Sequence, residues 1–402
     1  MTAIKNAIVI GGGIAGPVTA LALAKAGIQA TVYEAHALTD RSGAMLTVAP
    51  NGLAALETVG LRAAVEAVGN PLHAMVMEKG NGRTLMRVPS LPDLPPSRVL
   101  YRADLFDAIR TGAKEQGVTV HDGKRLTGVQ EHPDGITARF DDGTTVTTAT
   151  ADLLIGADGI RSTVRTLIDP NAPAPEYTGL MSFGFGDLTG AFTPGDIAEM
   201  HFAFGKHSFY GYWTHPDGSD VFFSNHPQDA PMTLAEARAV PKSEWLAKLR
   251  AAHADDQPGN RLFQATDEDA MMLTGPMERM PRLPHWSRGR MVLVGDAAHA
   301  PSSSSGQGAS LALESAIELA RCLRDIDDVQ ASLGKYESLR RPRVEAISEQ
   351  AAKTNNGKTA GPVAKFMFGV MMPIAARTFL QPEKMFGPVH RFRVEWDETV
   401  VV

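Results

Sequence analysis

The sequence predicts an α/β protein with a Rossmann-like domain, a β-sheet domain inserted into it and a C-terminal helical segment. Three observations carry this prediction. The chain opens with an apolar strand, a glycine turn and a helix over Ile4–Ala26. Two further buried-strand patterns end in Gly/Asp turns, at Asp152–Asp158 and Met291–Asp296. Between them, Tyr177–Pro276 is rich in aromatic residues that alternate as they do in strands. At roughly 150 residues per domain, a chain of 402 residues has room for two or three compact units.

In chain order, Ile4–Ile10 is the first strand, Ile14–Ala26 has helical spacing and Ala30–Glu34 is a second strand. This is a βαβ unit, whose strands belong in a parallel sheet. Arg102–Gln116 reads as an amphipathic helix with Leu105, Phe106 and Ile109 on one face, followed by a strand at Val118–Val120. Arg125–Glu131, Ile136–Phe140 and Thr144–Thr148 are separated by Pro133-Asp134-Gly135 and Asp141-Asp142-Gly143, the turn chemistry of a small antiparallel meander. Asp152–Ile155 and Met291–Val294 are buried strands. Helices are expected at Gly308–Arg324 and Val329–Lys353, with Pro342 kinking the second or breaking one of its backbone bonds. The boundaries that follow are 1–70, 99–176 and 277–355 for the Rossmann-like domain, 71–98 and 177–276 for the inserted domain, and 356–402 for the C-terminal segment.

Composition narrows the function classes. Hydrophobic residues at 44% and charged residues at 21% sit near the globular average, which excludes a disordered or fibrous chain. The 39 Lys and Arg against 45 Asp and Glu give a net charge of −6, which argues against nucleic acid or an anionic membrane as partner. The single cysteine, Cys322, excludes an intrachain disulfide framework and a cysteine-based metal site, and no metal is expected. Met1 leads through Ala7–Ile10 directly into Gly11–Gly13 with no basic signal region, so a cytoplasmic location is expected. The apolar stretch Phe366–Ala376 is broken by Pro373 and falls short of the roughly 20 residues of a spanning helix.

Three motifs carry chemistry. Gly11-Gly12-Gly13-Ile14-Ala15-Gly16 is a G-x-G-x-x-G between a strand and a helix. Gly11 permits the tight turn, Gly13 lets backbone approach a pyrophosphate, Gly16 permits close helix–strand packing, and the helix N-terminus offers free N–H groups to an anion. Glu34, 18 residues after Gly16, is placed to accept hydrogen bonds from a ribose 2′-hydroxyl. The motif is a dinucleotide site, without separating FAD from NAD. The second motif, Asp152–Arg165, is a buried strand whose Asp158-Gly159 turn launches a basic helix, and a simple N-capping role for Ser or Asp competes with a ligand role there. In the third, Gly295-Asp296 stands at the carboxyl end of a strand, where open α/β sheets contact ligands, and the Asp296 carboxylate can accept a polyol hydroxyl. Gly306-Gln307-Gly308 then leaves bare N–H groups at the start of the next helix, a place for developing negative charge.

Taken together in this order, the motifs resemble those of the FAD-dependent aromatic hydroxylases, the group A flavoprotein monooxygenases with the para-hydroxybenzoate hydroxylase fold. The resemblance spans about Ile4 to Lys353. It implies that Gly11, Gly13, Ile14, Ala15, Gly16 and Glu34 hold the ADP part of FAD and that Gly295-Asp296 holds the ribityl chain. It associates Asp158 with FAD and the nicotinamide cofactor. Arg102, following a short strand, matches the family arginine that reaches the flavin. Gly43-Ala44 and Pro50-Asn51-Gly52 match the segment beneath the isoalloxazine, and Arg41, Gly306, Gly308, Ala309 and Ser310 join the implied cofactor contacts. Two positions depart from the family pattern: Ser303 replaces a usual proline, and Ser315, preceded by Glu314, replaces a usual Asp. Both changes bear on the loop and helix beside the flavin.

The resemblance implies FAD as cofactor, NADPH or NADH as transient electron donor, and O2 that adds at flavin C4a before transfer to an electron-rich ring. The substrate is then a small aromatic or polycyclic molecule lying between flavin and the aromatic-rich domain. Catalysis rests on the flavin rather than on a certain side chain; Phe202, Phe204, Tyr210, Tyr212, Trp213, Phe222 and Phe223 are candidates for an apolar pocket, with Tyr210, Tyr212, Trp213 and Phe222 foremost, against the plainer reading of sheet core. His299 reads as structural. The segment Phe366–Phe379 is expected to pack near the substrate entrance, and the protein to be a monomer or homodimer. A flavin halogenase is set aside because the four tryptophans are isolated, with no Trp-x-Trp-x-Ile-Pro stretch. A Baeyer–Villiger-type oxygenase, a flavin reductase, an NAD-binding dehydrogenase and a non-catalytic FAD-binding protein remain open.

Overall fold

A computed structural model describes residues 4–36, 45–189, 198–216, 218–358 and 381–401. Its central sheet has six strands in the order Ser287–Arg288, Met291–Leu293, Leu153–Gly156, Asn6–Ile10, Gln29–Tyr33 and Thr119–His121. All neighbours run parallel except the edge pair of Ser287–Arg288 with Met291–Leu293. Ile8, Val9, Val32, Leu153, Leu154, Ile155, Val292 and Leu293 are almost wholly buried, as strands covered on both faces must be. The register decides the function of the edge. Ile10 pairs with Gly156 and with Tyr33, and Gly156 with Leu293, so four strands end together. The residues that follow them are Gly11, Ala157, Glu34 and Val294. Motifs more than a hundred residues apart thus emerge along one edge on the order of 15 Å long, at about 4.8 Å per strand.

The βαβ unit forms as its spacing predicts, with its helix at Ala15–Lys25. The meander pairs Arg125–His132, Gly135–Asp141 and Val146–Ala151 antiparallel. Its Phe140 ring stacks on Tyr33 at 4.2 Å, seating the meander on the parallel sheet. The predicted Arg102 helix spans Arg102–Glu115 directly after the strand Ser97–Tyr101. The late helices span Gly308–Asp325 and Val329–Lys358; the second runs through Pro342 and extends five residues beyond the expected Lys353.

A second sheet has seven strands, in the order Met271–Arg279, Glu176–Thr189, Ser219–Pro227, Phe209–Thr214, Glu199–Phe204, Ala74–Lys79 and Thr84–Pro89. Its first strand runs three residues past the expected boundary at 276 because it stays paired with Glu176–Thr189 as far as Arg279. The helices Leu234–Ala239, Lys242–Ala252 and Gly259–Ala265 cover one face, packing Ala237, Trp245, Leu249, Leu262 and Phe263 on Met181, Phe183, Phe185, Tyr210 and Phe222. The alternate residues Met200, Trp213 and Val221 face the other way and pack with Leu72 and Val99 of a small sheet formed by Met45–Val48, Ser97–Tyr101 and Asn70–Leu72. Among the described residues, no helix is long and apolar enough to cross a membrane. The expectation for Phe366–Phe379 falls outside the described residues.

Candidate cofactor site

The common strand edge carries two helix N-termini that no side chain caps. The Ala15–Lys25 helix begins after Ile14 and the Gly308–Asp325 helix after Gln307, and neither has an acidic residue in its first turn. Their first N–H groups and positive dipole ends therefore point outward without a resident anion. The glycines at these openings fall into two kinds. A Cβ at Gly11 or Gly16 would collide with the Ala157 or Gly11 carbonyl, so those positions are glycine for the fold. A Cβ at Gly13, Gly306 or Gly308 would meet nothing within 4 Å, so there the missing side chain leaves free space over the helix ends. Gly306 also takes a left-handed φ of 61° to turn the chain into the helix.

Glu34 sits beside the first glycine turn, where its carboxylate accepts from the Gly12 N–H at 2.7 Å and the His36 N–H at 2.9 Å. Asp296 follows Gly295, whose left-handed φ of 63° ends the strand sharply. Its side chain is exposed to solvent yet lies deep in the cleft, and that surrounding protein raises the carboxyl pKa, an effect opposed by the positive charge of Arg102. Arg102, exposed at the start of its helix, thus shares this cleft with Asp296. Space above two uncapped helix ends, with the Glu34 and Asp296 carboxylates on the same strand edge, fits FAD.

Other expected residues are placed differently. The Asp158 carboxylate is taken up by its own helix, accepting from the Ser162 hydroxyl at 2.5 Å and the Thr163 and Val164 N–H groups at 2.7 and 3.1 Å. Burial raises its pKa against those bonds. The side chain is thus engaged in capping its own helix. Ser310 is likewise buried and accepts from the Ala49 N–H at 3.2 Å, bracing the helix against the Pro50–Thr58 helix instead of reaching the cleft. Arg41 and Ala44 lie outside the described residues. Ile14 and Ala15 stand at the first uncapped helix end and Ala309 in the first turn of the second.

Three of the four foremost pocket candidates are corrected. Tyr210 and Phe222 are at most 1% exposed in the core under the three helices, and Tyr212, on the same face, donates its hydroxyl to Glu78 at 2.8 Å. Trp213 alone faces the small sheet and Tyr101. The candidate Phe202 shares this face with Trp213, and so do Met75, Val221 and Tyr101, which the sequence reading did not single out; the Tyr101 hydroxyl lies 3.2 Å from where a Cβ on Gly186 would stand. Alternation was the available signal, since odd and even residues of Phe209–Thr214 must part company.

His299 is buried, with Nε2 2.8 Å from the Ser315 hydroxyl, and burial holds its pKa down to about 3. At neutral pH it is therefore uncharged. Ser224, His253 and Asp256 form a chain with 2.9 Å between hydroxyl and Nε2 and 2.8 Å between Nδ1 and carboxylate, the connectivity of a hydrolytic triad. All three are at most 1% exposed, so no acyl substrate reaches the hydroxyl; the chain braces sheet against helix. A polar groove of about 380 Å³ lined by Glu131, His132, Arg290 and Asp327 lies at the amino ends of the strands, opposite the motif edge. No group of three or more His, Cys, Asp or Glu among the described residues could hold a metal ion.

Comparison with known proteins agrees with this geometry. A sequence model described as the FAD binding domain matches residues 5–351. The chain is 32% identical over 360 residues to an FAD-dependent urate hydroxylase of Klebsiella pneumoniae, covering 87% of this chain and 89% of that one. It is 30% identical over 358 residues to a 3-amino-4-hydroxybenzoate 2-monooxygenase of Streptomyces platensis, covering 85% and 86%. The crystal structure of Klebsiella pneumoniae HpxO complexed with FAD and uric acid superposes with a TM-score of 0.82 at 26% identity, covering 96% of each chain.

Proposed function

Because this chain belongs to the FAD binding domain family, and within it to the FAD-dependent aromatic hydroxylases, we propose that it uses NAD(P)H and O2 to hydroxylate a small aromatic or heteroaromatic molecule. The observation that carries the reading is the common strand edge, where two uncapped glycine-opened helix ends flank the Glu34 and Asp296 carboxylates. The first helix end and Gly13 receive the pyrophosphate, Glu34 the ribose and Asp296 the ribityl chain. The Gly306–Gly308 turn faces the negative edge of the flavin ring. Bound FAD supplies the electron and oxygen transfer. Protein groups supply position and dryness: Phe202 and Met75, half-buried and backed by the buried Trp213, present apolar surface to a flat substrate, which lies between that face and the cofactor. Relatives named for urate, hydroxynicotinate and aminohydroxybenzoate oxidation support an electron-rich, polar ring as substrate class.

The test is the visible spectrum of the purified protein and heat release of its chromophore, followed by NAD(P)H oxidation assays with phenols, purines and pyridinols. FAD in the supernatant and ring-stimulated NAD(P)H consumption with a hydroxylated product are expected. A protein that takes up no FAD would refute the proposal, and one that holds FAD but never responds to a ring compound would be a binder without this activity.

A further inference from the structure

Asn51 occupies the segment under the cofactor cleft, in the first turn of the Pro50–Thr58 helix, and is 1% exposed. Its amide nitrogen donates to Gln307 Oε1 at 2.9 Å and to Glu314 Oε1 at 2.7 Å. Its own Oδ1 is buried without a partner, a cost that native structures rarely retain without reason. The amide cannot be turned over to relieve it, since the Glu314 carboxylate accepts only. Gln307 is the residue between Gly306 and Gly308, so Asn51 holds the middle of the turn that opens the second helix.

Glu314 is the hub of this contact. It is 1% exposed; burial alone would raise its pKa, but Arg340 and Arg343 outweigh that and hold it ionised. Arg340 approaches its Oε2 at 2.7 Å, and Arg343 donates to both oxygens at 2.8 Å. Arg343 then reaches the C-terminal segment: it donates to the carbonyls of Val389 at 3.0 Å and Pro388 at 3.3 Å and lies 3.8 Å from the Phe392 ring centre. Arg391 ties that segment to Asp93 at 2.6 Å and bonds Glu383 within it at 2.7 Å.

We propose that Asn51, Glu314 and Arg343 act as one positioning unit through which the C-terminal segment Pro382–Phe392 holds the Gly306–Gly308 turn against the flavin. This rests on the FAD reading above. The unit touches no substrate. It keeps the N–H groups of that turn aimed at the flavin edge that gains negative charge on reduction, so loosening it weakens reduced FAD more than oxidised FAD.

The experiment compares full-length wild type, Asn51→Ala, Arg343→Gln and the double variant by FAD dissociation constant and flavin reduction potential. Each single variant is expected to lower the ratio of reduced to oxidised affinity by roughly 3- to 10-fold, or about 15–30 mV, and the double variant by no more than the larger single effect. Additive effects, or a lower melting temperature with an unchanged ratio, would overturn the proposal. Should Arg343→Gln not fold, Arg343→Lys serves: its ammonium cannot span both Glu314 and the Val389 carbonyl, and the same direction of shift is expected. A wild type that holds FAD while the variants keep its potential sinks this inference alone; a wild type that holds no FAD sinks the flavin reading with it.

Discussion

Tyr212 and Trp213 are neighbours in the chain and lie on opposite faces of the seven-stranded sheet. The Tyr212 hydroxyl bonds Glu78 on the helix-covered face, whereas Trp213 packs with Leu72 and Val99 toward the cofactor-bearing part of the molecule. Under the function proposed above, this division separates residues on the substrate side of the sheet from residues packed under the helices.

Trp213→Phe is accordingly expected to change KM for the ring substrate by roughly 3- to 10-fold, from about 1 kcal/mol of altered aromatic contact. Phe222→Leu, behind the sheet, is expected to lower stability by about 1–1.5 kcal/mol and leave KM alone. Steady-state kinetics with thermal melts on both variants check this; a KM change in Phe222→Leu larger than in Trp213→Phe would reverse the face assignment.

Asp296→Ala is expected to bind FAD roughly 10- to 150-fold more weakly, the loss of a hydrogen bond to a charged group worth about 1.5–3 kcal/mol. Its side chain is exposed in the cleft, so the fold does not depend on it. Fluorescence titration of the apoprotein with FAD measures the effect, and an unchanged dissociation constant would remove Asp296 from the site.

Two glycines three residues apart in one motif should behave oppositely. A Cβ at Gly13 meets nothing, while one at Gly16 collides with the Gly11 carbonyl. Gly13→Ala is expected to stay within about 1 kcal/mol of wild-type stability and to lose FAD affinity at least roughly tenfold. Gly16→Ala should lose about 1–3 kcal/mol of stability through overpacking. Melting curves taken without added FAD distinguish the two; equal destabilisation would mean that Gly13 serves the fold as well.

Stability should fall as pH drops below about 6.5. His299 has an ordinary value of 6.5 and is held at about 3 when folded, so between these pH values the unfolded chain takes up a proton that the folded chain refuses. Stability is complete above the unfolded value and is lost as pH falls toward the folded one, by up to about 1.4 kcal/mol per pH unit. His226 and His390, each held at about 4 by burial, add to the slope. Urea unfolding at pH 7, 6 and 5 should show a shallower decline for His299→Asn than for wild type, and parallel declines would refute the assignment.

The glycine turn, the helix behind it, Glu34 and the Asp296 strand end were legible along the chain, because each is written in a stretch of a few residues whose backbone demands are local. The identity of the parallel sheet followed from the same short-range patterns. What the tertiary structure decided were relationships with no local signature. Alternation in Phe209–Thr214 announces two faces but not which one the helices cover, so Tyr210, Tyr212 and Trp213 could not be sorted until Trp245 and Phe263 were seen packed on one side. Asp158 and Ser310 have residue types equally suited to a ligand or to the backbone, and only folding showed their oxygens already taken. Asn51 and Glu314 are 263 residues apart, and their contact exists because the Pro50–Thr58 and Gly308–Asp325 helices pack against each other, a long-range pairing that no spacing in the chain encodes.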